Sequence, residues 1–207
     1  MSSRPKVFCI GFQKTGTTSL HAALSRLGYK TAAVVGRDLT ADELRKTALD
    51  LCLEAAKSHD AAQDMPWPLF YRELDKAFPG SKFILTVRDP DNWFRSLENH
   101  FGDHPHAMQE FVYGRASPAG ARERYIDVYQ AHDRAVRDYF SDRAGDFLIM
   151  DLEKGDGWEA LCAFLNLPAP DLPFPAKNRT EDRDSLSYRI RRRLSMLAGR
   201  YLAPEQI

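Results

Sequence analysis

A chain of 207 residues is somewhat longer than a typical domain of about 150 residues, which leaves room for one compact domain and a trailing element but not for two full domains. Its composition, 43% hydrophobic and 28% charged, suits a soluble globular protein and excludes disorder as the main state. The 29 basic and 29 acidic residues cancel, so no global field draws the chain onto nucleic acid or an anionic membrane, and any anion site must be local.

The first element is Val7-Phe8-Cys9-Ile10, a short apolar run closed by Gly11 that reads as a buried strand. It is too short for the apolar region of a signal peptide, and no later run approaches a membrane span. A helix begins near Thr17, with Leu20, Ala23, Leu24 and Leu27 at helical spacing and Gly28 as its stop. Thr31 to Val35 reads as a second strand. Thr40-Ala41-Asp42-Glu43 then opens a helix with a capping box. Ala61 to Asp64 is a further short strand, stopped by Pro66 and Pro68, and Phe83 to Val87 has the continuous apolar character of a central parallel strand. Asp89 is placed to cap a helix that starts with Pro90 and carries Trp93, Phe94 and Leu97. Helices over Ala107 to Tyr113 and Ala119 to Phe140, a strand over Phe147 to Met150 and a helix over Trp158 to Leu165 follow.

Strands alternating with helices predict a three-layer α/β fold with a mainly parallel central sheet and helices on both faces. We expect that domain to span residues 1–182, with residues 183–207 forming a basic helical tail. From Arg183 to Arg200 the tail holds six arginines against Asp184 alone. Such a helix can touch an anionic membrane as a peripheral contact, or lie as a solvated face. The three cysteines, Cys9, Cys52 and Cys162, are far apart in apolar surroundings. That arrangement suits reduced thiols and a cytoplasmic protein.

The chemistry concentrates in Gly11-Phe12-Gln13-Lys14-Thr15-Gly16-Thr17-Thr18, which leaves a strand and enters a helix. In that setting backbone N–H groups and a helix N-terminus can cradle an anion. A Walker A loop would carry lysine where Thr17 stands. The only lysine, Lys14, lies inside the loop, so binding of a β,γ-phosphate with magnesium is not expected, and we predict a site without a metal. Near the end of the Phe83–Val87 strand stands Arg88, with Ser96 eight positions on. A guanidinium can take a phosphate bidentately and a helix hydroxyl can add a third bond.

These two blocks resemble the sulfotransferase superfamily, whose 5′-phosphosulfate loop reads P-K-[ST]-G-T-[TS] and whose 3′-phosphate is held by an arginine and a serine at that same spacing. Gln13 to Leu20 matches the loop except for its proline. The resemblance is closer to the short, single-domain bacterial-type members, which carry K-T-G-T-T-S-L, a D-x-P element and F-P-x-x-N. Phe174-Pro175-Ala176-Lys177-Asn178 matches that last element.

The resemblance implies a P-loop-NTPase-like fold and a transferase that uses 3′-phosphoadenosine 5′-phosphosulfate (PAPS) and leaves adenosine 3′,5′-bisphosphate (PAP). Gln13, Lys14, Thr15, Gly16, Thr17 and Thr18 would hold its 5′ end, Arg88 and Ser96 its 3′-phosphate, and Asn178 would close over it. Lys14 would also stabilise the leaving oxygen. Cytosolic members place a histidine in a His-Leu-Pro element about two dozen residues before the arginine. Here Asp64-Met65-Pro66 stands 24 residues before Arg88, so Asp64 is the expected base, its role open to a carboxylate whose pKa burial raises.

His100, His104 and His106 are rival bases, and His132 reads as a packed core histidine. The acceptor, a hydroxyl or amine on a small molecule, a carbohydrate or a lipid, is not specified. Two further readings stay open: a P-loop phosphotransferase acting as a small-molecule kinase, and a non-catalytic module that binds adenosine bisphosphate.

Overall fold

A computed structural model describes residues 4–175. Asn178 and the basic tail lie outside the described residues. The elements run β1 (Val7–Cys9), α1 (Thr17–Arg26), β2 (Thr31–Ala32), α2 (Ala41–Lys57), β3 (Ala61–Ala62), a 3-10 turn (Trp67–Phe70), α3 (Tyr71–Ala77), β4 (Lys82–Thr86), α4 (Pro90–Phe101), α5 (Ala107–Tyr113), α6 (Arg122–Tyr139), β5 (Phe147–Met150) and α7 (Trp158–Leu165).

The strands form one sheet in the order β2-β3-β1-β4-β5, every pair parallel. Alternate residues of β1 feed opposite layers, as the two-residue period of a strand requires. Val7 and Cys9 face α1 and α7 in a cluster with Leu20, Leu24 and Leu161. Phe8 and Ile10 face α2, α3 and α6 in a cluster with Cys52, Leu74, Val136 and Phe140. Helices therefore cover both faces, and the three-layer α/β architecture is the one the alternation of elements predicts. Burial of each large apolar side chain contributes about 1.5–3 kcal/mol, so the central strand, with Val7 to Ile10 at most 1% exposed, anchors the loop that follows it.

Local signals set the element ends. Thr40 accepts the Glu43 N–H at 3.3 Å while its own N–H donates to Glu43 Oε2 at 2.8 Å, completing the capping box. Asp89 Oδ1 accepts from the N–H groups of Asp91 and Asn92 at 3.1 and 3.0 Å. The second and third strands are shorter than expected. β2 ends at Ala32 rather than Val35 and β3 at Ala62 rather than Asp64. The chain leaves the ladder there because Trp67 Nε1 donates to the Ala33 carbonyl at 2.7 Å and Asp64 turns into the left-handed region with φ 72°. The long helix starts at Arg122 rather than Ala119. All three cysteines are buried free thiols, and burial pushes the Cys52 thiol up to about 12.

A third apolar cluster lies beyond the C-terminal edge of the sheet, where Phe12 and Met65 meet Trp93, Leu97, Tyr113, Tyr125 and Tyr129 from α4, α5 and α6. It supports the loops after β1, β3 and β4, which is where an open parallel sheet places its ligands. Among the described residues no helix is long and apolar enough to cross a membrane.

Candidate active site

The loop from Gly11 to Gly16 is shaped by close approach to β4. A Cβ on Gly11 would collide with the Thr86 hydroxyl and carbonyl oxygen and lie 2.7 Å from its backbone nitrogen. Glycine is needed there for contact, not for a positive φ. Thr15 ties the same two segments together. Its Oγ1 lies 2.6 Å from both the Phe12 carbonyl and the Thr86 hydroxyl, and its N–H donates to the Phe12 carbonyl at 3.3 Å. Both Thr15 donors are thus turned inward and fix the shape of the loop.

Gln13 is buried and clamped at two points. Its Nε2 donates to the Tyr113 hydroxyl at 2.9 Å, and its carbonyl accepts from Trp93 Nε1 at 2.9 Å. Lys14 sits at φ 71° and Gly16 at φ 105°. The left-handed form costs a non-glycine residue about 1–2 kcal/mol, so the surrounding clamps hold Lys14 in place. Gly16 is the N-cap of α1 and brings no side-chain oxygen to the first turn, which also has no acidic residue. Thr17 is buried and Thr18 exposed on that turn. The positive end of the α1 dipole is therefore not offset by a carboxylate in its first turn.

Arg88 follows the end of β4, beside the loop. Tyr129 of α6 brackets its backbone, with the Tyr129 hydroxyl accepting from the Arg88 N–H and donating to the Arg88 carbonyl, both at 2.9 Å. The guanidinium reaches across to the lysine-bearing turn, where Nη1 donates to the Lys14 carbonyl at 3.2 Å. Nη2 pairs with Glu153 Oε1 at 2.5 Å. Nε is buried and, among the described residues, has no hydrogen-bond partner. Ser96 lies on α4, partly exposed, two turns beyond the Asp89 cap.

Asp64 leaves β3 with its Oδ1 accepting from the Met65 N–H at 2.8 Å. Burial raises its pKa, while that hydrogen bond and the charges of Lys14 and Arg37 pull it partly back. Asp64 and Lys14 thus act on one another across the same space, and they are two of the three non-glycine residues at positive φ among those described. His132 is the packed histidine its helix face predicts. It stacks on Phe12 at 4.4 Å between ring centroids, and Nε2 donates to the Ile10 carbonyl at 2.8 Å. Burial lowers its pKa to about 4. His104 and His106 lie on or beside the exposed segment between α4 and α5, with His104 paired to Asp103 at 3.3 Å. Among the described residues no group of three or more His, Cys, Asp or Glu side chains is placed to hold a metal ion.

Several residues at this site carry no sequence signal. Tyr113 and Trp93 hold Gln13 from 100 and 80 residues away. Leu152 covers Gly16, where a Cβ would collide with its side chain. Glu153 pairs with Arg88. Contacts of that span depend on tertiary packing and leave no local periodicity to read.

The profile of the family described as "Sulfotransferase domain" matches residues 6–183. The chain is also similar to "Ava biosynthesis cluster protein M" of Aspergillus versicolor, 26% identical over 213 residues that cover 82% of this chain and 79% of that protein. A solved shikimate kinase from Bacteroides thetaiotaomicron matches with a TM-score of 0.46 at 16% identity, covering 78% of this chain and 94% of that one. With the family match spanning most of the chain, from the strand before the lysine-bearing loop to beyond α7, the protein belongs to the sulfotransferase domain family.

Proposed function

We propose that the protein transfers a sulfuryl group from PAPS to a hydroxyl or amine acceptor. The observation that supports this reading is the contact between the Arg88 guanidinium and the Lys14 carbonyl, which joins the lysine-bearing loop to the segment after β4. The buried Nε of Arg88, which has no hydrogen-bond partner among the described residues, fits an additional oxygen ligand, because a buried donor left unsatisfied costs about 1–3 kcal/mol.

In this reading Lys14, Gly16, Thr17 and Thr18 hold the 5′ end of the donor, with Gln13 and Thr15 fixing the loop that presents them. Arg88 and Ser96 hold the 3′-phosphate, and Asn178 is assigned to the donor site by its motif alone. The donor supplies an activated sulfuryl group on a phosphate leaving group. Lys14 places positive charge where the bridging oxygen gains negative charge as its bond to sulfur breaks. Asp64 accepts the proton that the acceptor loses as the new bond to sulfur forms. The acceptor is a small molecule, carbohydrate or lipid.

Incubation with sulfur-labelled PAPS and a panel of phenols, alcohols, sugars and amines tests the proposal. Label is expected to appear on one acceptor class, with PAP released in equal amount. Failure to transfer or release label with any of them would count against it.

Asp64→Asn separates the role of the carboxylate from its structural cost. Asparagine tolerates the left-handed backbone and keeps the Met65 hydrogen bond, so the fold is retained while the base is lost. The sign of its stability effect is fixed by the raised pKa. Below the unfolded value of about 3.9 the carboxyl is protonated in both states and costs nothing. As pH rises through the higher folded value, the wild type loses stability. The variant is therefore expected to melt at the same temperature near pH 4 and at a higher one near pH 7, with transfer abolished. A melting difference independent of pH would contradict the assigned environment. In the wild type the acid limb of kcat/KM should lie above the ordinary carboxylate range.

A further inference from the structure

The turn between β5 and α7 touches both halves of the proposed donor site. Leu152 lies against Gly16 at the start of α1, and the neighbouring Glu153 holds the Arg88 guanidinium at 2.5 Å. The turn does not need the Glu153 side chain for its own shape. Asp151 Oδ1 accepts from the N–H groups of Glu153 and Lys154 at 3.1 and 3.3 Å, and the Asp151 N–H donates to Asp156 Oδ2 at 2.7 Å. Arg88 and Glu153 also line a cavity of about 670 Å³. Two other ion pairs line it, Arg137 with Asp133 at 2.7 Å and Lys154 with Asp151 at 3.2 Å.

We propose that Glu153 is a built-in counter-anion that competes with the nucleotide's 3′-phosphate for Arg88 and so sets donor affinity. The inference rests on the donor reading above. The Glu153 side chain is 45% exposed and that of Arg88 18%, so the carboxylate can swing into water while the guanidinium stays fixed by the Lys14 carbonyl. A phosphate monoester carries a charge of about −1.5 to −2 and three acceptor oxygens. It can engage both Nη2 and Nε of Arg88, the latter without a partner among the described residues, in the forked geometry that favours phosphate. The carboxylate, with one negative charge and a contact to Nη2 alone, is the weaker ligand. A 3′-hydroxyl has no charge with which to displace it.

Calorimetry in EDTA with PAP and with adenosine 5′-monophosphate tests the competition. Glu153→Gln is expected to bind the bisphosphate about five- to tenfold more tightly than wild type, as for removal of a half-exposed competing charge. Its affinity for the monophosphate should change by less than about twofold, since that ligand has no charged group to meet Arg88. In an Arg88→Ala background the same substitution should leave bisphosphate affinity unchanged.

Equal or weaker bisphosphate binding by Glu153→Gln would overturn the proposal and make Glu153 an orienting partner of Arg88. Equal tightening for both nucleotides would also overturn it, pointing to general electrostatics. If neither protein binds the bisphosphate, the donor reading itself fails and this inference falls with it. Binding by the wild type with no gain in the variant removes the counter-anion role alone.

Discussion

Lys14→Ala is expected to lower kcat for sulfuryl transfer by about 10²- to 10³-fold, with a change of less than about tenfold in PAP affinity. Lys14 is held at φ 71° between Gln13, which Tyr113 and Trp93 clamp, and Thr15, which Thr86 clamps. Side chains presented from so constrained a turn meet charge without further reorganisation, which is the condition under which electrostatic stabilisation lowers a barrier most. In the proposed ground state the lysine is one of several groups on the phosphate. In the transition state it meets an oxygen whose charge is growing, so its loss falls mainly on kcat. Alanine carries the same left-handed cost as lysine, so the loop's shape is retained. A loss confined to donor affinity, with kcat unchanged, would move Lys14 from the reacting oxygen to simple binding.

Arg88→Ala is expected to weaken PAP binding by about 10²-fold, or about 3 kcal/mol, the size of a lost charge-assisted contact to a phosphate. The Tyr129 hydroxyl holds the Arg88 backbone from both sides, so the end of β4 keeps its course when the guanidinium is removed. Arg88→Lys should recover only part of the loss, because an ammonium keeps the charge but not the fork that reaches Nη2 and Nε together. Titration calorimetry checks both variants. Unchanged affinity in Arg88→Ala would remove the 3′-phosphate assignment. It would leave the Glu153 pair, the alternative partner seen for this side chain, as the whole role of Arg88.

The legible part of the fold was the part encoded locally. Val7 to Ile10 and Phe83 to Val87 read as buried strands because both faces of β1 and β4 are covered. The Thr40 box and the Asp89 cap were visible because a cap involves residues three positions apart. The sequence pattern extends β2 and β3 further than the ladder does. β2 and β3 hold only two residues each in the ladder, and what ends them, the Trp67 bond to Ala33 and the left-handed turn at Asp64, joins segments that no periodicity links.

The same division runs through the site. The loop and the Arg88–Ser96 spacing stand in contiguous sequence, and the sheet brings the loop to Arg88 because β1 and β4 are neighbours. The function of the glycines was only half legible. Gly16 needs its positive φ, whereas Gly11 is required by the proximity of Thr86, a contact across 75 residues. Glu153 and Leu152 were invisible, since an acidic residue and a leucine in a turn after a strand have no distinguishing pattern.

The proposed function requires that the lysine-bearing loop and Arg88 grip one nucleotide from its two ends. It is tested most directly by titrating the wild-type protein with PAP and with ATP, each in EDTA and in magnesium. Binding of the bisphosphate that magnesium does not alter is expected, with ATP failing to compete. Magnesium-dependent binding of ATP, with the bisphosphate silent, would contradict it.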